Sequence, residues 1–225
     1  VNTYSPYGAE TVKSIEAGIK SELFDRRVRL NVDLFRSIFS DFQTSLIAFG
    51  PGSGIPQAVI GNAGKLRSQG VEGDFAWRVA DALTLSGGLT YTDAKYTNYQ
   101  YNSGTNYAGT VLANAPKWQG SVSPVYDGET GGNLRLRTNH DYAYRSEAWS
   151  ATGQPAYSRI PGYGIVNTRI SLSPTDQNIE VGVYVRNLFD KYYSTAFQQY
   201  STLALLHYVT RDAHRTVGAF ARFSF

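Results

Sequence analysis

The sequence predicts an all-β fold, a segment of an antiparallel transmembrane β-barrel with about nine strands. Apolar and polar residues alternate over nine windows, as they do in strands with two different faces. Short turns and long loops alternate between these windows. No stretch approaches the roughly 18 consecutive apolar residues of a membrane-spanning helix. We therefore expect a membrane-spanning form of this chain to use strands alone.

Composition narrows the classes of function. Of 225 residues, 42% are hydrophobic and only 17% are charged, whereas Tyr (17) and Gly (22) are abundant, so uncharged side chains supply much of the polar surface. The net charge of +3 is too small and too dispersed to predict nucleic-acid binding. Without cysteine, the chain has no disulfide framework and no thiolate metal site. Because it contains no Met, we expect Val1 to follow processing or to begin a fragment.

In the first half of the chain, four windows have one wholly apolar side. Short turns are predicted at 24–26 and 80–81, and longer loops at 49–57 and 97–113. The apolar sides are formed by Ile15, Ala17 and Ile19; Val28, Leu30, Val32 and Leu34; Val71, Gly73, Phe75 and Trp77; and Leu83, Leu85, Gly87, Leu89 and Tyr91.

The second half repeats this plan with five windows. Turns are predicted at 127–132 and 174–178, and loops at 147–159 and 194–214. One side of each window is formed by Trp118, Gly120 and Val122; Leu134, Leu136, Thr138, His140 and Tyr142; Val166, Thr168, Ile170 and Leu172; Ile179, Val181, Val183 and Val185; and Val217, Ala219, Ala221, Phe223 and Phe225.

The charges of these windows lie on the opposite faces and include Glu16, Arg29, Asp33, Glu72, Arg78, Arg135, Arg137, Arg169, Glu180 and Arg222. A soluble sandwich would show the same alternation with its apolar faces turned inward. The turn-to-turn spacing of about 45 to 55 residues is longer than the roughly 8 to 12 residues per strand in sandwiches. Aromatic residues also mark the ends of the apolar faces, as in interfacial girdles: Trp77 and Phe225 at one end, Tyr91 and Tyr142 at the other. We expect lipid on the apolar faces and a barrel lumen on the charged faces.

Several segments carry recognisable motifs. Glu10 to Leu34 contains S-I-E-A-G-I-K followed by a tight hairpin, Asn62 to Glu72 leads into a strand, and Asn114-Ala115-Pro116 precedes another. The most specific segment is V-R-N-L-F-D-K-Y-Y, with Asn187, Leu188, Asp190, Lys191, Tyr192 and Tyr193. Together with the aromatic ending at Phe223 and Phe225, these segments resemble the TonB-dependent outer-membrane receptors of Gram-negative bacteria.

This resemblance implies a 22-stranded barrel around an N-terminal plug, integral to the outer membrane. Such receptors import scarce nutrients such as ferric siderophores, cobalamin or oligosaccharides. The implied partners are outer-membrane lipid, the remainder of the receptor with its plug, the TonB complex, and the barrel-assembly machinery, which reads the terminal aromatic signal of Phe223 and Phe225. Residues 1–225 would form the C-terminal portion of the barrel domain without a plug.

Few residues suggest catalysis. His140 and Asp141 are adjacent on a strand and so point to opposite faces, and the polar-loop pair Asp212 and His214 is more typical of solvated side chains. The glycines at 50–54 lack the lysine of a phosphate loop, and no metal-ligand spacing or cofactor motif occurs. We therefore expect no enzymatic activity.

The ligand-binding candidates are aromatic residues assigned to the long loops. They are Tyr96, Tyr99, Tyr101, Tyr107, Trp149, Tyr157, Tyr200, His207 and Tyr208. Some of these tyrosines would instead belong to the interfacial girdle. Two other functions stay open at this point: a soluble β-rich carbohydrate-binding module and an outer-membrane barrel enzyme.

Overall fold

The computed structural model describes residues 7–49, 56–62, 64–102, 105–176, 178–201 and 204–224. Two short 3-10 turns, Ala156–Ser158 and Arg211–Ala213, interrupt an otherwise β-rich chain. The strands are β1 (Thr11–Leu23), β2 (Val28–Ser40), β3 (Gln43–Phe49), β4 (Pro56–Asn62), β5 (Gly64–Ala80), β6 (Leu83–Asn102), β7 (Thr105–Asn106), β8 (Trp118–Thr130), β9 (Leu134–Arg145), β10 (Ala148–Trp149), β11 (Arg159–Ile160), β12 (Tyr163–Pro174), β13 (Ile179–Arg186), β14 (Ala196–Ser201), β15 (Ala204–Tyr208) and β16 (Thr216–Phe223).

Nine of these strands form one antiparallel sheet in the order β1-β2-β5-β6-β8-β9-β12-β13-β16. They are the nine windows predicted from alternation, so the all-β antiparallel prediction is confirmed. The hairpins β3–β4 and β14–β15 and the short pair β10–β11 stand apart from this sheet. Within the described residues, β1 and β16 each pair with one neighbour, so the sheet is open at both edges.

The strands are joined by tight turns at one end of the sheet. Phe24, Asp25 and Arg26 all have positive φ (54°, 51° and 64°), and the amide of Arg27 donates to the carbonyl of Phe24 at 3.0 Å. The predicted turns at 24–26, 80–81 and 174–178 are confirmed. The turn predicted at 127–132 is shorter, because β8 continues to Thr130 while the Asp127 carboxylate pairs with two arginines of β9.

The long connections contain more pairing than predicted. The loop predicted at 97–113 is wrong in its first part, since β6 runs to Asn102 and pairs with β7. The connection 147–159 contains β10, and 194–214 contains β14 and β15. The loop predicted at 49–57 is wrong at its ends, since Phe49 belongs to β3 and Pro56 and Gln57 belong to β4, and residues 50–55 lie outside the described residues. These segments are too short, as in β10, or lack strict alternation of apolar and polar residues, as in β14 and β15, so periodicity does not identify them as strands.

The two faces of the nine-strand sheet differ as predicted. Its apolar face leaves large side chains uncovered, with Ile15 71%, Val183 52% and Val217 67% exposed. Trp77 marks the turn end of this face, and the rings of Tyr91 and Trp118, 4.8 Å apart, mark the loop end. The opposite, polar face carries hydrogen-bonded side chains, such as Asn31 with Asp74. One surface is thus suited to an apolar solvent and the other to water.

Strands β13 and β16 are joined by two reciprocal pairs on the polar face. Tyr184 lies opposite Gly218, and Phe220 lies opposite Gly182. A Cβ atom would be 2.5 Å from the Tyr184 ring at Gly218 and 2.7 Å from the Phe220 ring at Gly182. Each ring therefore occupies the space that a side chain on the facing strand would fill.

The main buried cluster lies at the loop end of the sheet. Leu66, Tyr96 and Tyr99 are only 1–2% exposed, and partly buried side chains pack around them: Phe39, Phe42, Tyr107 and Leu112. The Tyr96 and Tyr99 rings lie 4.7 Å apart, and the Tyr99 and Tyr107 rings 5.4 Å apart. This cluster fixes the extended upper part of β5 and β6 to the segment that follows β7.

Candidate functional site

A pocket of about 450 Å³ opens on the polar face near the loop end. Strands β8, β9, β12 and β13 supply its wall, and the connection between β13 and β16 supplies one side. It is lined by Gln119, Ala143, Tyr144, Arg145, Tyr163, Ile165, Asn167, Arg186, Tyr193 and Asp212.

Two arginines give the pocket its charge. Arg145 Nε and Nη2 are buried and have no hydrogen-bond partner among the described residues. Neither Arg145 nor Arg186 forms an ion pair within this part of the chain, although each guanidinium lies near a tyrosine ring, at 5.7 Å from Tyr163 and 5.6 Å from Tyr184. Buried N–H groups without acceptors are costly. The pocket is therefore suited to an anionic group that presents several oxygens.

Stacked tyrosines form the rim of the pocket. The rings of Tyr163, in β12, and Tyr193, in the following connection, lie 4.3 Å apart and nearly parallel. Thr210 donates its hydroxyl hydrogen to the Tyr193 oxygen at 3.1 Å. The rim thus joins the sheet to the last long connection and offers flat aromatic surface beside the arginines.

The Asn-Leu segment at 187–193 positions Tyr193. Asn187, 1% exposed, accepts a hydrogen bond from the Lys191 amide at 2.8 Å and donates its side-chain amide to the carbonyls of Lys191 (3.0 Å) and Asp212 (3.3 Å). Asp190 accepts from the Arg215 amide at 2.7 Å. Leu188 donates its amide to Val166 in β12. The segment predicted as a motif is therefore a folded turn that binds both ends of the connection.

A second pocket, of about 600 Å³, lies beside the first and shares Asn167 and Arg186 with it. The Arg169 guanidinium lies 3.9 Å from the centre of the Phe220 ring. Glu180 accepts hydrogen bonds from Arg169 (3.1 Å) and Ser171 (2.7 Å), so this arginine, unlike Arg145, is already paired.

Three of the predicted ligand-binding tyrosines lie in the buried cluster. Tyr96 and Tyr99 belong to β6 and not to a loop, because β6 continues beyond the position at which alternation ends. Burial raises the pKa of the Tyr96 hydroxyl, and a hydrogen bond with Thr152 acts in the opposite direction. Tyr107 packs against Tyr99. Their burial favours a packing role over contact with a ligand.

The other aromatic candidates are spread over separate elements. Trp149 is in β10 and Tyr157, 36% exposed, is in the first 3-10 turn. His207 packs edge-on against Phe197 at 4.7 Å, and the Tyr208 hydroxyl donates to Gln198 at 2.7 Å. The backbones of Tyr101 and Tyr200 lie in β6 and β14. Ser150, next to Trp149, exchanges hydrogen bonds with Phe197 of β14, and β14 also contacts the first 3-10 turn. Ligand contact by these residues stays a prediction.

In each pair of catalytic candidates, the two side chains have different surroundings. His140 lies on the apolar face, where its Nδ1 is 3.2 Å from the Thr168 hydroxyl, whereas Asp141 accepts from Ser123 at 2.6 Å. The His214 ring packs near Tyr192, while Asp212 lines the first pocket. In the described parts of the chain, no group of three or more His, Cys, Asp or Glu could hold a metal ion, and no helix is long and apolar enough to span a membrane.

Sequence reasoning missed Arg145, Tyr163 and Arg186 as site residues. Each occupies a polar-face position at the loop end of its strand, so the alternation of β9, β12 and β13 assigns its face. Their convergence depends on the register that places Arg145 opposite Tyr163, which the sequence does not specify.

Comparison with known proteins identifies the family. Residues 1–188 match the family model for the TonB-dependent receptor-like β-barrel. The metal-pseudopaline receptor CntO of Pseudomonas aeruginosa is 29% identical over 83% of this chain, and the ferric-pyoverdine M114 receptor PbuA of Pseudomonas sp. (strain M114) is 32% identical over 81%. The structure of the ferric yersiniabactin uptake receptor FyuA from Yersinia pestis covers 98% of this chain with a TM-score of 0.79 at 21% identity.

The matched regions cover only part of these proteins, namely 25% of CntO, 21% of PbuA and 31% of the FyuA chain. The nine-strand antiparallel sheet, with one apolar and one polar face, agrees with the family model and with the receptor structures. The predicted resemblance and the outer-membrane location are therefore confirmed: this chain belongs to the TonB-dependent receptors, the integral outer-membrane β-barrel proteins whose barrel domain it matches.

Proposed function

We propose that this chain forms part of the barrel wall of an outer-membrane receptor that imports a scarce nutrient as an anionic metal chelate of the siderophore class. The pocket containing Arg145 and Arg186 carries this proposal, because it presents unpaired guanidinium groups beside stacked tyrosines on the lumen side. Siderophore oxygens are hydrogen-bond acceptors, and charge-assisted bonds to arginine are strong. The names of CntO, PbuA and FyuA support the same class of ligand.

Residues 1–225 would supply wall, lumen charges and loops from the C-terminal portion of a 22-stranded barrel. The N-terminal plug, the TonB complex and the barrel-assembly machinery are the proposed partners in the complete receptor. In this arrangement the ligand is held between loops and lumen until force transmitted through TonB displaces the plug.

The test replaces both arginines, Arg145→Gln and Arg186→Gln, in the full-length receptor. We expect the double variant to bind ferric pyoverdine or ferric yersiniabactin, whichever the wild type binds, at least tenfold more weakly in a tryptophan-fluorescence titration. A charged hydrogen bond contributes about 1.5–3 kcal/mol, and about 1.4 kcal/mol corresponds to a factor of ten. Arg78→Gln, which removes a polar-face charge at the turn end, is the matched control. Equal affinities of all three proteins would exclude this pocket as the ligand site.

The chain is also proposed to have no catalytic activity of its own. The different surroundings of His140 and Asp141, and of His214 and Asp212, support this view. Loss of a measured hydrolytic activity in His214→Ala would instead favour the barrel-enzyme alternative.

A further inference from the structure

The apolar face of the sheet changes character beyond Tyr91 and Trp118. Register places Ala17, Leu34, Val71, Tyr91 and Trp118 in one cross-strand row. The next row toward the loop end contains Ile15, Arg36, Gln69 and Asp93, and the row beyond it contains Lys13, Ile38, Arg67 and Lys95. Since residues two apart on a strand share a face, these charged side chains point outward, on the same side as the lipid-facing residues.

Five basic side chains and one acidic side chain occupy these outward positions of β1, β2, β5 and β6. The basic residues are Lys13, Arg36, Lys65, Arg67 and Lys95, and the acidic residue is Asp93. They lie at positions 13, 36, 65–67 and 93–95, so the sequence shows no single basic run, but the sheet register brings them together. We call these six residues the outward basic patch.

Asp93 orders the centre of the outward basic patch. Its carboxylate lies 3.2 Å from Arg67 Nη2 and 3.0 Å from Lys95 Nζ, and its side chain is 12% exposed. Arg67 Nε is buried and has no hydrogen-bond partner within the described residues. Lys13, Arg36 and Lys65 are exposed and form no ion pair in this part of the chain. The patch therefore has excess positive charge and a free donor.

The location of the patch identifies its partner. Aromatic girdles mark the level of the lipid headgroups, and the outward basic patch begins one row beyond the Tyr91–Trp118 pair. The side chains face away from the lumen, so a transported solute would not meet them. Arginine and lysine pair with phosphate oxygens, and basic clusters at a membrane surface bind anionic headgroups.

We propose that the outward basic patch binds the phosphate groups of an anionic lipid of the outer leaflet, whose acyl chains lie along the apolar face below. Arg67 and Lys95, held side by side by Asp93, contact a phosphate directly. Lys13, Arg36 and Lys65 supply the surrounding positive field.

The proposal is tested by native mass spectrometry of the full-length receptor in mild detergent, titrated with diphosphoryl hexa-acyl lipid A. We expect Arg67→Gln/Lys95→Gln to bind this lipid at least tenfold more weakly than the wild type. Lys13→Gln/Arg36→Gln, which breaks no ion pair or side-chain hydrogen bond among the described residues, should weaken binding at least threefold. The matched control Lys20→Gln/Arg29→Gln removes two exposed charges from the polar face and should bind as the wild type does.

Two further ligands identify the source of the phosphate. Phosphatidylethanolamine should bind all four proteins equally and weakly, and sodium pyrophosphate should not displace lipid A. Retained lipid A binding by both outward variants would overturn the proposal. Efficient displacement by pyrophosphate, or equal binding of the two lipids by the wild type, would also overturn it, because the patch would then not recognise a phosphorylated lipid headgroup.

Discussion

The side-chain amide of Asn187 donates to the carbonyl oxygen of Asp212, 3.3 Å away across the last long connection. Because Asn187 is buried and makes further hydrogen bonds to Lys191 and Asn167, it holds the turn that carries Tyr193 to the pocket. This residue of the predicted motif therefore has a structural role whose removal can be measured.

We expect Asn187→Ala to lower the free energy of unfolding by about 1–3 kcal/mol, since buried polar groups lose their partners. Proteases should also cut the connection at 204–210 faster in this variant. Asn133→Ala is the matched control, because Asn133 has a similar backbone conformation (φ 56° against 51°) but is exposed. Similar cleavage of both variants would show that the backbone, and not the side chain of Asn187, holds the connection.

The assignment of faces predicts unequal losses of stability when either of two neighbouring residues of β13 is replaced by arginine. Val183→Arg places a charge on the lipid face and should cost about 2–4 kcal/mol near the bilayer midplane. Tyr184→Arg, on the lumen face, should cost at most about 1 kcal/mol through lost packing on Gly218. Urea unfolding of the receptor refolded into bilayers measures both values. Equal losses would contradict the assignment of faces, and a larger loss for Tyr184→Arg would reverse it.

The buried cluster predicts that Tyr99 acts through packing. Tyr99→Ala should lower the free energy of unfolding by about 3 kcal/mol, because it removes a fully buried ring. Tyr157→Ala, at an exposed position, should change it by no more than about 0.5 kcal/mol. Thermal unfolding and a ferric-siderophore titration should be performed on both full-length variants. A Tyr99 variant with wild-type stability but weakened ligand binding would indicate that Tyr99 contacts the ligand.

Replacing either of two phenylalanines of β16 by alanine should affect different properties of the receptor. Phe223, 62% exposed on the apolar face, is predicted to belong to the assembly signal, so Phe223→Ala should reduce the amount of receptor in the outer membrane more than its heat resistance. Phe220 packs on Gly182 beneath Arg169, so Phe220→Ala should mainly lower heat resistance. Fractionation with immunoblotting and gel-shift heating separate the two effects. Normal membrane levels of the Phe223 variant would remove it from the signal. Phe225, the other predicted signal residue, lies outside the described residues.

Alternation predicted the nine sheet strands because lipid and water favour different side chains on successive residues. In β13, Val181 and Val183 lie on the lipid face, and Glu180 lies on the lumen face. Beyond Tyr91 this constraint ends, and both faces of β6 carry polar residues. The extension of β6 to Asn102, the packing of Tyr99 and the outward basic patch were therefore not predictable from periodicity.

The candidate site was only partly predictable for a related reason. The Asn187 to Tyr193 segment has a recognisable local pattern, and Tyr193 does line the pocket. Arg145 and Arg186 come from strands whose meeting depends on register over several hydrogen-bonded neighbours. Sequence separation conceals such pairs, whereas the predicted loop tyrosines stood out through composition alone.

The reciprocal ring and glycine pairs between β13 and β16 have a consequence for how the last strand is aligned. A long connection joins these strands, so no tight turn dictates their alignment, and a shift of two residues would preserve the lipid and lumen faces. Such a shift would bring the Tyr184 ring opposite Phe220 or Thr216 and remove both glycine recesses. Side-chain shape thus selects one alignment where neither hydrophobicity nor chain connectivity can. Only in this alignment do the two rings lie opposite the two glycines that leave space for them.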